Sequence, residues 1–342
     1  MLQLEDQKKM SEGIDAQGLL ASIRRLHEEI RSGVSRCLTE ARRSENPALA
    51  NEPGAWGAGD ISYALDKPAE AAIDAFADDV ARTNPVTLVC EGPGIVKRRG
   101  AGNGPALRAI VDPIDGTRSL MHDMRSGWAL TGIARDLGES TRLSDIEVAV
   151  QTELPTTTAG VYRVLTAIAG QGARMARHDV ATGALIEEGP LVAPRQLPLE
   201  NGYLAFTRYL AVERPIVARL EQQFLDGALT EHGIDPRLVY DDQYLCSAGQ
   251  LFLVTTGRYR MLADLRGWLR ETRGLANFTA KPYDLAALLI YREAGALVVD
   301  AAGDDLDAPL DTETSLSVIA WPNESLRSAF EPHLRTAMDS LI

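Results

Sequence analysis

Arg108–Leu120 reads RAIVDPIDGTRSL. The stretch ALRAIVD (106–112) has the length and apolar content of a buried strand, and it stops on a carboxylate, Asp112. A Pro-Ile pair then leads to Asp115, Gly116 and Thr117. An unpaired buried carboxylate costs several kcal/mol or takes up a proton, so these aspartates need a metal, an arginine or solvent. The spacing leaves all three open. Gly116 lets the chain leave the strand, and Thr117 opens a short helix whose first amides point outward and can cradle a phosphate. Thr117 reads equally well as a plain helix cap.

Upstream, the spacing of Leu19, Leu20, Ile23, Leu26, Ile30, Val34 and Leu38 predicts one amphipathic helix over 15–43. A Pro/Gly-rich break (46–59) follows. Then come a short strand, Asp66, and a helix opened by Pro68 and running to about Arg82. VTLVCEG (86–92) reads as a buried strand ending on Glu91. The glycines of 92–104 predict a mobile connection, and with no GxxxxGK[ST] present it is not a P-loop. Its Lys97, Arg98 and Arg99 are candidates to approach an anionic ligand.

Downstream, GWALTGIAR (127–135), DIEVAVQTEL (145–154) and 159–177 read as successive strands of one antiparallel sheet. Pro-spaced, aperiodic sequence over 190–199 marks a boundary, giving subdomains 1–195 and 196–342. The second part reads as strand (202–208), helix (213–225), buried helix to Gly257 and strand (259–266). A helix from Asp284, a glycine stop at Gly295, a strand and a final helix (324–341) complete it.

The chain has 342 residues, with 35 basic and 48 acidic side chains and a net charge of −13, which argues against nucleic acid or an anionic membrane as partner. Cys37, Cys90 and Cys246 are odd in number and widely spaced, so neither a disulfide framework nor a zinc site is expected. A reducing cytoplasm is the expected compartment. No apolar run approaches the ~18 residues of a membrane span. His122 is read as a packing residue near the motif or one that supports the site from behind, since five scattered histidines lack ligand spacing.

Four carboxylates fall where strands stop or helices start: Glu91, Asp112, Asp115 and Asp284. Singly, Asp284 is a helix cap, Asp115 an Asx-turn residue and Glu91 a solvated strand end. Together they offer oxygen ligands from separate segments around an open position, as hard Mg²⁺ requires. Carboxylates beside a phosphate cradle suggest phosphoryl transfer to water.

VDPIDGT resembles the Asp-Pro-Ile/Leu-Asp-Gly-Thr signature of the inositol monophosphatase-like, lithium-sensitive Mg²⁺ phosphatases, a superfamily that includes fructose-1,6-bisphosphatases and nucleotide 3′-phosphatases. KPYDLAALLIYREAGALVVDAAG (281–303) is similar to the family's Trp-Asp-x-Ala-Ala and Glu-Ala-Gly-Gly stretches. The resemblance implies an α/β (α+β) fold, a layered α-β-α-β-α sandwich of the sugar phosphatase type, with DPIDGT in the first subdomain and PYDLAA in the second. It implies two or three Mg²⁺ held by Glu91, Asp112, the Ile114 carbonyl, Asp115 and Asp284, with Mn²⁺ able to substitute and Li⁺ and Ca²⁺ inhibitory. Thr117, hydrogen-bonded to Asp66, would orient the attacking water with the help of Glu91. Asp115, Gly116, Thr117, Arg118 and Asp264 would meet the substrate.

The implied activity is hydrolysis of a small phosphate monoester, an inositol phosphate or sugar phosphate, by a homodimer. The alternatives are a fructose-1,6-bisphosphatase, a 3′-phosphoadenosine 5′-phosphate phosphatase, or a non-catalytic relative that binds a metal or phosphorylated ligand. Tyr283, Ala296, Gln250 and Arg118 depart from the family pattern, and none of them is an expected ligand. They alter the walls of the pocket. Arg118 and Arg266, if they face it, would bind a second phosphate or a carboxylate in two-pronged fashion.

Overall fold

The computed structural model describes residues 13–43, 53–56, 61–63, 65, 67–91, 95–100 and 102–341. The chain packs as two units. Met1–Pro190 joins Pro282–Ile290 and Ala308–Thr314 in the first, and Leu191–Lys281, Tyr291–Asp307 and Ser315–Ile342 form the second. The first crossing falls at the Pro-spaced boundary, but a contiguous division at 195/196 does not describe the molecule. PYDLAA, expected in the C-terminal part, belongs to the first unit, because the chain returns twice to pack there.

In the first unit, α1 (Ala16–Arg43) is the expected single helix. The Asp15 side chain accepts from the Gly18 N–H at its start, and Arg42 and Arg43 favour the negative end of its dipole. After β1 (Pro53–Trp56), β2 (Ile61–Tyr63) and α2 (Lys67–Ala81) come the elements of the main sheet. These are β3 (Val86–Cys90), β4 (Ile95–Arg99), β5 (Leu107–Asp115), then the short α3 (Thr117–Leu120), β6 (Gly127–Arg135), β7 (Ile146–Leu154), β8 (Val161–Ile168), β9 (Ala173–Asp179) and β10 (Leu185–Leu191). The sheet order is β10-β9-β8-β7-β6-β5-β3-β4. β3 and β5 run parallel, and the neighbours from β5 through β9 run antiparallel.

The Gly-rich stretch 92–104 contains a strand where a mobile connection was expected: β4 pairs with β3, Cys90 opposite Ile95 and Val86 opposite Arg99. Two β-branched residues, Ile95 and Val96, favour pleated backbone there despite the flanking glycines.

Leu26, Ile30, Phe76 and Val80 of the two helices pack with Leu88, Leu107, Val111, Ile133 and Val148 of the sheet. Each such side chain contributes about 1.5–3 kcal/mol. His27 interrupts the apolar stripe of α1, and its ring nitrogens lie 3.0 Å from Thr152 Oγ1 and 2.9 Å from Thr131 Oγ1. Burial lowers its pKa to about 3, so it is a neutral, satisfied group that docks the helix on β6 and β7.

The second unit is built on a five-stranded sheet, β12-β11-β13-β15-β14. Its elements are β11 (Gly202–Phe206), α4 (Arg214–His232), β12 (Val239–Asp241), α5 (Ser247–Thr255), β13 (Tyr259–Asp264), α6 (Arg266–Arg273), β14 (Leu297–Val299), β15 (Val318–Trp321) and a C-terminal helix, Glu324–Asp339. A helix at Leu288–Glu293, α7, precedes β14, which makes the C-terminal helix α8. β11 is parallel to β12 and β13, while β15 is antiparallel to β13 and β14. Leu220 and Phe224 of α4 and Phe330 and Leu334 of α8 share a core with Phe206, Met261, Ile319 and Trp321. The stretch 259–266, read as one strand, stops at Asp264 and turns into α6.

The class is mixed α/β, as expected. No helix among the described residues is long and apolar enough to cross a membrane.

Candidate active site

β5 is buried along its whole length, and its last third is irregular. Asp112 lies opposite Leu130 of β6, whereas Asp115 lies opposite Trp128, so three steps on β5 answer two on β6. The extra residue is a β-bulge, where Pro113, lacking an N–H, costs no ladder bond. Positions 112 and 115 of an unbroken strand point to opposite faces, and one inserted residue reverses that parity. The side-chain oxygens of Asp112, Asp115 and Asp284 accordingly lie within 4.8 Å of one another.

Local hydrogen bonds set the geometry. The Ile114 N–H donates to Asp112 Oδ1 at 3.0 Å, and Thr117 Oγ1 donates to the Ile114 carbonyl at 2.7 Å. Gly116, at φ 88°, makes the left-handed turn that a side chain would resist, and its carbonyl accepts from the N–H groups of Ser119 and Leu120. With its proton committed to Ile114, the Thr117 hydroxyl keeps its lone pairs for an incoming donor.

Asp284 arrives on a 3₁₀ turn, Pro282–Leu285. That turn sits on β6 at Gly132, where a Cβ would stand 2.3 Å from the Ala286 carbonyl oxygen. A glycine in the middle of an apolar strand is the sequence's sign of this approach, which strand periodicity alone does not reveal. Asp123, at φ 55°, carries no such signal in the sequence: it accepts from the Thr157 N–H and hydroxyl and so fixes the chain leaving α3.

Asp112 is 1% exposed, and its Oδ2 has no hydrogen-bond donor among the described residues. Burial above all, then the like charges of Glu91, Asp115 and Asp284, hold its carboxyl well above the usual carboxylate range. Glu91 is close enough to hydrogen-bond Asp112 when one of them carries a proton, but it stands outside the three-carboxylate group. A donorless buried oxygen among acidic neighbours fits a cation, and an all-oxygen set suits a hard divalent ion. Asp112, Asp115 and Asp284 would hold it, with the second lone pair of the Ile114 carbonyl and Glu91 within the same segment ends.

The remaining expected residues divide. Arg118 is half-buried on α3 and His122 is exposed, not packed. Asp66 lies outside the described residues, as do the side chains of Lys97, Arg98 and Arg99. In the second unit Asp264 and Arg266 form one buried ion pair: Arg266 Nε reaches Asp264 Oδ1 at 2.8 Å and Nη2 reaches Oδ2 at 2.6 Å. Arg266 also donates to the Phe278 carbonyl and lies over the Tyr209 ring at 4.6 Å. Its fork is thus filled from within the protein, not held open for a second phosphate.

At the level of sequence no family model and no curated protein matches the chain. In three dimensions it is similar to the holo form of Leishmania major fructose-1,6-bisphosphatase, with TM-score 0.67 at 14% identity over 98% of both chains. It is similar to inositol monophosphatase II of Staphylococcus aureus MSSA476, with TM-score 0.61 at 17% identity over 95% of this chain and 96% of that one. Mycobacterium tuberculosis SuhB matches with TM-score 0.58 at 16% identity, over 95% and 98%. The fold is that of the phosphatases in this group. The chain is a protein of inositol monophosphatase and fructose-1,6-bisphosphatase architecture, and the resemblance carried by DPIDGT holds at the level of the fold.

Proposed function

We propose that the chain hydrolyses a small phosphate monoester, an inositol phosphate or a sugar phosphate, with Mg²⁺ as cofactor. The observation that carries this reading is the donorless Asp112 Oδ2, buried where the bulge in β5 brings Asp112, Asp115 and Asp284 together. Divalent ions held there would supply an acidified water and neutralise charge on the phosphoryl and leaving oxygens. Asp112, Asp115 and Asp284 fix the ions, aided by Glu91 and the Ile114 carbonyl. The Thr117 hydroxyl, its proton held by Ile114, accepts from the attacking water and orients it, and Glu91 takes up the released proton. The amides of Gly116 and Thr117 bind a phosphoryl oxygen beside Arg118. Asp264 enters through the resemblance alone, as a substrate-side residue braced by Arg266.

The test is phosphate release from inositol monophosphates, fructose 1,6-bisphosphate and 3′-phosphoadenosine 5′-phosphate. Release with Mg²⁺ or Mn²⁺, suppressed by EDTA, Ca²⁺ or Li⁺, supports the reading. Full activity in excess EDTA overturns it, and Mg²⁺ binding without any release assigns a non-catalytic ligand-binding role.

A further inference from the structure

A second group of side chains of the types that bind metals lies in the second unit, on α4 and α8. Glu231 and His232 end α4, and His333 projects from α8. One ligand atom from each lies within 4.8 Å of the other two. We propose that these three residues form a site for a borderline transition ion of the Zn²⁺ class, chemically distinct from the carboxylate centre.

The geometry holds the His333 ring in place. His333 crosses α4 at Gly227, where a Cβ would stand 2.9 Å from Nδ1. Any larger residue at 227 would push the imidazole away. With Nδ1 turned to the helix backbone, Nε2 faces Glu231 Oε2 at 3.6 Å. His232 stands edge-on to His333, with centroids 5.8 Å apart at 83°, and lies 4.7 Å from the Phe330 ring. Ligand atoms around a tetrahedral ion with bonds of ~2.1 Å are about 3.4 Å apart, so the Glu231–His333 pair is near that spacing already. Small rotations of the exposed Glu231 and His232 side chains complete it.

The electrostatics favour a cation as well. α4 ends at His232 and is capped by Gly233 at φ 64°, so the negative end of its dipole points at the group. Two imidazoles and one carboxylate suit Zn²⁺, Co²⁺, Ni²⁺ or Cu²⁺, whereas Mg²⁺ takes oxygen ligands and keeps its water. Solvent at the exposed side supplies the fourth ligand. The two centres thereby sort metals by hardness, and an ion at this one ties the end of α4 to α8.

The experiment uses the full chain in excess Mg²⁺, which saturates the carboxylate centre, and titrates Co²⁺ as the spectroscopic probe. The expected result is one equivalent of Co²⁺ with the intense visible bands of a low-coordinate ion bearing imidazole ligands, displaced by one equivalent of Zn²⁺. Glu231→Gln, His232→Ala and His333→Gln should each weaken binding at least tenfold, and Asp112→Asn should leave the bands intact. Glu231 and His232 are exposed, so their variants keep the test valid if His333→Gln does not fold. Absence of the bands, bands that survive all three variants, or bands lost only with Asp112→Asn overturns the proposal. Because Asp112→Asn reports on the carboxylate centre separately, failure here is distinguishable from failure of the proposed hydrolase.

Discussion

Near the start of β5, Arg108 donates to Asp136 at 3.1 Å and to the Leu310 carbonyl at 3.3 Å, and Asp136 also accepts from the Thr87 hydroxyl and the Gly138 N–H. At the other end of the same strand, Asp112 Oδ2 is buried with no donor among the described residues, and the like charges of Glu91, Asp115 and Asp284 act on it. Burial would raise the Asp136 carboxyl, but hydrogen bonds from Thr87, Gly138 and Arg108 bring it below its ordinary range. Asp112 is moved the opposite way. A buried charge that serves the fold carries its counter-charge with it. One left unpaired at a strand end lowers stability, and on the proposed function a cation completes the site and offsets that loss.

Substitution at the open end should have the largest effect. Asp112→Asn keeps size and removes the charge of a proposed ligand, so on the proposed function kcat for phosphate release should fall by about a thousandfold or more, equivalent to ~4 kcal/mol at 1.36 kcal/mol per tenfold. The same variant should be more stable than the parent when both are metal-free at neutral pH, since it relieves repulsion. At the closed end Asp136→Asn should cost about 3 kcal/mol in denaturant unfolding by stranding Arg108, with Mg²⁺ affinity unchanged. If both variants lowered stability alike, the contrast between the two ends would be lost.

Gly132→Val probes how Asp284 is delivered. The added atoms meet the Ala286 carbonyl, so stability should fall by roughly 1–3 kcal/mol, and Mg²⁺ should bind more weakly by calorimetry although no ligand has changed. A Mg²⁺ affinity equal to that of the parent would remove Gly132 from the account.

The smallest effect is in the pH dependence of metal-free stability, where the two ends have opposite signs. The raised Asp112 pKa gives a contribution that is full below the unfolded carboxylate value and is lost as pH rises through the folded one. The depressed Asp136 pKa gives a contribution present above the unfolded value and lost as pH falls through the folded one. Chelated protein should therefore lose stability as pH climbs from about 4, and saturating Mg²⁺ should abolish that loss. A Mg²⁺-independent profile in thermal melts would contradict the electrostatic reading of Asp112.

Much of this was legible in VDPIDGT because its parts are contiguous: a strand that ends in carboxylates, a glycine turn and a threonine at a helix start. The α1 stripe was equally plain, since helix periodicity is local. The parity reversal at Pro113 was not, because a bulge is defined against the partner strand. The place of Asp284 was hidden for a similar reason, since the Gly132 contact that admits its turn spans more than 150 residues of chain. Asp264 and Arg266 were visible as charges but not as a pair: only the turn from β13 into α6 closes the guanidinium on the carboxylate.

The most direct test of the central claim is anomalous diffraction from crystals equilibrated with Mn²⁺ in place of Mg²⁺. The account predicts a peak bonded to oxygens of Asp112, Asp115 and Asp284, with Asp112 Oδ2 a ligand at about 2.0–2.3 Å. Crystals soaked at a Mn²⁺ concentration that supports phosphate release in solution, yet showing no peak among these three carboxylates, would contradict it.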